Sequence, residues 1–360
     1  MAGEPVTVEL TPAQFGDREQ VVVRHAGLTA SAFRFRSGVA ALRIANSAGE
    51  CVLLPFQGQQ IWDATFGARR LTMRSLFDEP RPTTDYLANY GAFFIHCGAA
   101  AMGNPGRTDT HPLHGELPNA AYDEAQLVVG ADADGPFMEL TGATRQTRAF
   151  GYDYLARPRL RLHRDATAFD LSLAVENRAR SPFFLMYLAH ANFRPIDGAR
   201  LLDSVADDHR DVTIRPPPLE GGPHALHDAV IADPAVHRSV RPGAAVDPEL
   251  VLTLRAAGGA DGWAHALQRH PDGTGDFISW RPAELPYAVR WMVRNADQDA
   301  LGLALPATAP PDGLAAAKAA GQLVRVDAGA TFHARMRFGM LDADATEDFA
   351  GMVAAAAGLR

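Results

Sequence analysis

Residues 159–178, "RLRLHRDATAFDLSLAVENR", decide the fold class. Apolar residues alternate with polar ones on both sides of the break at Arg164–Ala166, through Leu160 and Leu162 before it and Phe169, Leu171, Leu173 and Val175 after it. In an extended chain successive side chains point to opposite faces. Two such runs around a short polar break therefore form an antiparallel hairpin with one face turned to a core. Residues 125–142, "AQLVVGADADGPFMELTG", repeat the pattern around Asp134-Gly135, a pair suited to a tight hairpin turn.

The same signal extends outward in both directions. Toward the N-terminus it includes "QVVVRH" at 20–25, "ALRIA" at 41–45, "CVLLPF" at 51–56 and "QQIWDATF" at 59–66. Toward the C-terminus come "LVLTLRA" at 250–256, "GDFISWRP" at 275–282, "YAVRWMV" at 287–293 and "TFHARMRFGM" at 331–340. Parallel strands need crossover helices of about a dozen residues, and such helices are missing between these runs. The expected fold is all-β, a large antiparallel β-sandwich, built as a single domain over 1–360. Residues 344–358, "DATEDFAGMVAAAAG", close the chain as a short helix, with Asp344 and Glu347 in capping-box spacing. Residues 215–246, rich in Pro, Gly and His, read as a long loop over the surface, so that His224, His227 and His237 face solvent.

Composition narrows the partners. A formal net charge of −8, with arginines scattered along the chain, argues against a nucleic-acid partner, which requires clustered positive charge. Lys318 is the sole lysine and lies in an alanine-rich segment without a phosphate loop, which removes Schiff-base and P-loop chemistry. The opening "MAGEPVTVELTPAQF" lacks a basic and apolar leader, and no apolar run reaches the length of a membrane span. The two cysteines, Cys51 and Cys97, suit free thiols in a reducing compartment. A cytoplasmic protein without membrane contact is expected.

Three segments carry polar residues among apolar ones. "YGAFFIHCG" at 90–98 ends in His96, which reads as a hydrogen-bonded core or rim residue. "DTHPLHGELPN" at 109–119 carries His111, His114 and Glu116. "MYLAHANFRP" at 186–195 sets His190, Asn192 and Arg194 at every second position, on one face of a strand. A metal centre drawn from His96, Cys97, His111, His114 and His190 would lack the HxH, HExxH and CxxC spacings of the usual sites, so no metal and no cofactor is expected. No GxSxG elbow is present for serine chemistry.

"YGAFF", "HPLHGELP" and "YLAHANF" taken together resemble the galactose mutarotase-like superfamily of aldose 1-epimerases, and more narrowly its DUF4432 branch. The resemblance covers roughly residues 52–338 and implies a β-supersandwich. It also implies an isomerase that interconverts the anomers of a sugar, with His114 bound to the sugar and His190 protonating the ring oxygen. His111, Glu116, Asn192, Arg194, Arg290 and Trp291 are expected around the substrate. Arg290 and Trp291 are neighbours on a strand, so only one of them can face the pocket. The superfamily's glutamate base, just before a late proline, has Leu305 of "ALPAT" in its place here. Relatives acting on hexose 6-phosphates place an arginine where this chain has Pro118, so an unphosphorylated sugar is expected. Asp297 and Asp299, just before the "ALPAT" turn, read as turn-capping residues. A non-catalytic sugar-binding protein and a metal-dependent isomerase or lyase are the alternatives. A homodimer is compatible with the sequence.

Overall fold

The computed structural model describes residues 4–206, 208–215 and 225–358. The hairpin at 159–178 forms as its alternation requires: strands Tyr152–His163 and Ala168–Asn177 pair antiparallel from Tyr154↔Asn177 to Leu162↔Phe169. Leu160, Leu162, Phe169, Leu171, Leu173 and Val175 are all buried. Strands Glu124–Asp132 and Gly135–Arg148 turn directly from Asp132 to Gly135, whose φ of 109° favours a residue without a Cβ.

Among the described residues the strands assemble into a nine-stranded and a thirteen-stranded sheet, paired antiparallel throughout. The sheets stack face to face, and the core lies between them. Phe94 of the larger sheet lies nearly parallel on Phe338 of the smaller one, with ring centroids 5.2 Å apart. Burial of each such ring contributes about 1.5–3 kcal/mol. The C-terminal helix, Ala343–Ala357, lays Phe349 and Val353 against Leu267 and Phe277 on the outer face of the smaller sheet. It starts earlier than the capping-box spacing suggests. The last strand ends at Leu341, and the next residue, Asp342, accepts the first free amide, from Ala345, at 2.9 Å.

In its central strands the larger sheet is buried on its other face too. Strands Val246–Leu254, Tyr287–Arg294, Asp299–Ala307, Phe183–Ala191 and Phe94–Ala99 lie side by side in that order. Their alternate residues Val251, Val289, Leu305, Leu188 and Cys97 form a second apolar cluster, covered by Tyr86 and Tyr90. Cys51 packs into the core between the sheets and Cys97 into this second cluster, and both thiols are free. Among the described residues no helix is long and apolar enough to cross a membrane.

The 215–246 segment is not the surface loop its composition suggests. It contains a helix, Ala225–Ala232, and a 3-10 turn, Pro234–Arg238, that carries His237 into the interior at 1% exposure. His227 is half-buried beside Asp228, and His224 lies outside the described residues. His237 is drawn inside by Arg290, whose Nη1 donates to its Nδ1 at 2.6 Å. Burial, with the Arg290 charge, pushes the imidazole down to about 3, so it is neutral. Arg290 also donates to Asp203 of the smaller sheet at 2.9 Å and to the Leu303 carbonyl at 3.1 and 2.9 Å, forming a polar tie between the two sheets. Removing one member of a buried ion pair leaves the other charge unpaired in a low dielectric, at a cost of about 3–5 kcal/mol. Arg290→Leu should therefore lower the unfolding free energy by about that amount in chemical denaturation, whereas exchange of the exposed Arg335 for leucine should change it by less than about 1 kcal/mol.

Candidate active site

His190 reaches the second face of the larger sheet because its strand alternates. Tyr187, Ala189 and Ala191 fill the core between the sheets, while Met186 and Leu188 join the opposite cluster with His190 beyond them. The next residue on that side, Asn192, is fully buried and fixes the imidazole. Its Nδ2 donates to the Ala92 carbonyl at 3.0 Å, which leaves Oδ1 to accept from the Tyr90 hydroxyl at 3.3 Å and from His190 Nδ1 at 2.8 Å.

His114 arrives from a loop sewn to the end of the Phe94–Ala99 strand. The Gly98 amide donates to the His114 carbonyl at 2.9 Å, and Glu116 and Leu117 donate back to the Gly98 carbonyl at 3.0 and 2.8 Å. His114 sits at φ 59° and Gly115 at 82°. A Cβ on Gly115 would meet the Ala101 carbonyl oxygen at 2.2 Å, so the "HG" pair is required by this crossing. The His114 and His190 rings stand at right angles with centroids 5.5 Å apart, and Tyr86 lies 4.8 Å from the His114 ring.

The two imidazoles line a cavity of about 200 Å³, below the roughly 300–1,000 Å³ of drug-sized sites. Trp291 forms part of its wall, edge-on to His190 at 5.6 Å. Glu249 and Arg215 also line it, paired to each other, and Trp291 Nε1 donates to Glu249 at 2.6 Å. Leu305 lies in the same wall.

Burial sets the protonation states. His190 is pushed down to about 4 by desolvation, partly offset by the bond to Asn192. His114 falls well below the ordinary 6.5 through desolvation, then through the nearby His190 and Arg215 charges. Both rings are neutral at pH 7, and the buried His114 Nδ1 has no hydrogen-bond partner among the described residues. A resting His190 that already carries the second proton, as the acid role would require, does not match its burial.

The other expected site residues separate. Arg290 points to the opposite face from Trp291, into the core between the sheets, as its bond to Asp203 requires. Arg194 lies beyond the end of the strand among Arg69, Arg70, Arg74 and Asp299. Glu116 turns away from the cavity and accepts from the Ala99 and Ala100 amides at 3.1 and 2.8 Å and from Tyr154 at 2.5 Å. His111 bonds the Pro112 carbonyl at 2.8 Å and the Leu314 amide at 3.4 Å. His96 lies under the sheet, bonded to the Tyr187 hydroxyl at 2.8 Å. Asp299 pairs with Arg294 at 2.8 Å, and the turn beside it is capped by Asn295, which accepts from Asp297 at 3.0 Å and Gln298 at 2.8 Å.

Glu249, Arg215, Tyr86 and Tyr90 escaped the sequence reading. For Glu249 a signal existed: the alternation of "LVLTL" extended back from Val251 puts Glu249 on the same face. Among the described residues, the donor group compact enough for a cation is Asp132, Asp134 and His163, none of which lines the cavity, and Asp132 already holds Arg161. A groove of about 580 Å³ beside the C-terminal helix contains none of the expected residues.

The fold has clear counterparts among solved structures. A proposed aldose 1-epimerase from Klebsiella pneumoniae superposes with a TM-score of 0.86 at 16% identity, covering 98% of this chain and 96% of that one. A galactose mutarotase-like protein from Clostridium acetobutylicum gives 0.59 at 12% identity, covering 88% and 99%. No curated protein matches the sequence significantly. At these identities the likeness is one of fold, and the fold is the galactose mutarotase-like β-sandwich. Within that class the chain belongs to the DUF4432 family, a domain of unknown function whose model matches residues 36–340.

The crossing at Gly98 generates a prediction for the site. Gly115→Ala should displace the His114 loop and lower stability by more than about 1 kcal/mol, because both the φ and the Ala101 contact oppose a Cβ. Thermal unfolding measures the loss, and an unchanged midpoint would contradict the role given to the crossing.

Proposed function

We propose that the protein binds one unphosphorylated monosaccharide in the cavity between His114, His190 and Trp291 and interconverts its anomers by proton transfer. The observation that carries this reading is the pair of neutral imidazoles 5.5 Å apart on a small cavity whose wall includes an indole. An indole gives the apolar face of a sugar ring a platform, and imidazoles exchange hydrogen bonds with its hydroxyls. The His114 nitrogen without a partner among the described residues supports a polar ligand. Pro118 favours an unphosphorylated ring, and the free, buried cysteines suit a reducing cytoplasm.

Leu305 favours a second reading, a sugar-binding protein without catalysis, because an aliphatic side chain lines the cavity where relatives carry a glutamate. Proton NMR of anomer exchange across a panel of aldoses separates the two. Catalysed exchange of at least one sugar is expected, with His190→Gln slowing it by about 100-fold or more while leaving the fold intact. Ligand-induced shifts without exchange would establish the binding protein instead.

A further inference from the structure

The anomer-exchange reading leaves a question that the cavity itself answers: which group takes the hydroxyl proton when Leu305 replaces the glutamate. Among the described residues lining the cavity, Glu249 is the one carboxylate. Both of its oxygens are occupied, one by Arg215 and the other by Trp291 Nε1. His190 is differently placed. Asn192 cannot flip its amide without turning Nδ2 away from the Ala92 carbonyl, so Oδ1 faces the ring and His190 Nδ1 carries the hydrogen. In a neutral imidazole the other nitrogen then holds a lone pair.

Resting on the proposed function, we infer that His190 carries both proton transfers, with Asn192 as the positioning residue that holds it in the Nδ1–H tautomer. The anomeric hydroxyl and the ring oxygen are bonded to the same carbon, so one nitrogen can serve both. His190 Nε2 takes the hydroxyl proton: the O1–H bond breaks and Nε2–H forms. The electron pair left on O1 becomes the second bond of the C1=O1 carbonyl as the C1–O5 bond breaks. The pair released onto O5 takes the same proton back from Nε2, which leaves neutral His190 and the open-chain aldehyde. Rotation about C1–C2 and the reverse sequence yield the other anomer. The imidazolium that exists between the two transfers keeps its Nδ1–H bond to Asn192. No second carboxylate is required, which is why Leu305 is tolerated. His114 serves the sugar as a hydrogen-bonding group and, being neutral, adds no like charge to the imidazolium.

The groups that face His190 are His114, Tyr86 and Tyr90 from the covering loops and Trp291 from its own sheet, with Glu249 and Arg215 behind the indole. Burial holds both tyrosine hydroxyls well above their ordinary range, so they remain neutral across the working pH. A single-base mechanism then has a distinct profile. The plot of kcat/KM against pH should rise once, near the His190 value of about 4, and stay level through neutrality. Asn192→Asp places a negative charge on the ring and should move that rise upward by about one unit or more. Nitrogen-15 NMR of the ligand-free protein should show His190 protonated at Nδ1 and not at Nε2, a readout independent of both activity and substitution. A bell-shaped profile with active enzyme, or an Nε2–H tautomer, overturns the single-imidazole mechanism and leaves anomer exchange standing. Absence of exchange for every aldose in the panel overturns both.

Discussion

The central strands of the larger sheet are buried on both faces, and that constraint organises the molecule. One face meets the smaller sheet and the other lies under the loops that carry Tyr86, Tyr90 and His114. A strand in this position has no solvent side, so its period-two alternation sorts residues between two interiors. Along Phe183–Ala191 the sorting sends Tyr187 and Ala189 to the structural core and Leu188 and His190 toward the cavity. Along Tyr287–Arg294 it sends Arg290 to the core and Trp291 to the cavity. The same two-faced burial separates the roles of neighbours in sequence: Arg290 ties sheet to sheet, and the residue beside it builds the wall of the site.

Burial of the site also decides its electrostatics. The shift of His190 from 6.5 to about 4 corresponds to something on the order of 3 kcal/mol against the charged ring. The bond to Asn192, worth about 1 kcal/mol, favours the charged form and cannot reverse that balance. Desolvation wins, and the cavity presents two neutral imidazoles. Two neutral imidazoles of this kind can exchange hydrogen bonds with polar, uncharged groups. The Arg215 charge is already matched by Glu249.

The fold class was legible because alternation is a local signal: the hairpins at 125–142 and 159–178 pair where their periodicity places the turns. The meeting of His114 and His190 was legible only through the resemblance of two motifs, since 76 positions separate them in the chain and no spacing rule brings them together. What misled was the extrapolation of local pattern beyond its element. Arg194 shares the alternation of His190 and Asn192, yet the strand ends at Ala191 and the register lapses. The 215–246 segment has the composition of a surface loop, and composition carries no sign of the buried pairing that pulls His237 onto Arg290. Glu116 sits beside the "HG" pair in sequence, but the turn through Gly115 sends it to the strand end, where two amides and a tyrosine hydroxyl claim it.

Two kinds of rigidity meet at the cavity. His190 is set by a strand with neighbours on both sides and by an amide whose orientation is fixed at the Ala92 carbonyl. His114 is set by a left-handed turn whose backbone is bonded to Gly98 and whose glycine has no room for a Cβ. Neither ring depends on the other for its place, so their perpendicular approach is a property of the empty protein. A ligand entering between them need not organise the site. Its binding energy is then available for contacts rather than for ordering side chains. That arrangement leaves room for an aliphatic Leu305 in the wall, because His190 and Glu249 are already oriented by their own protein partners.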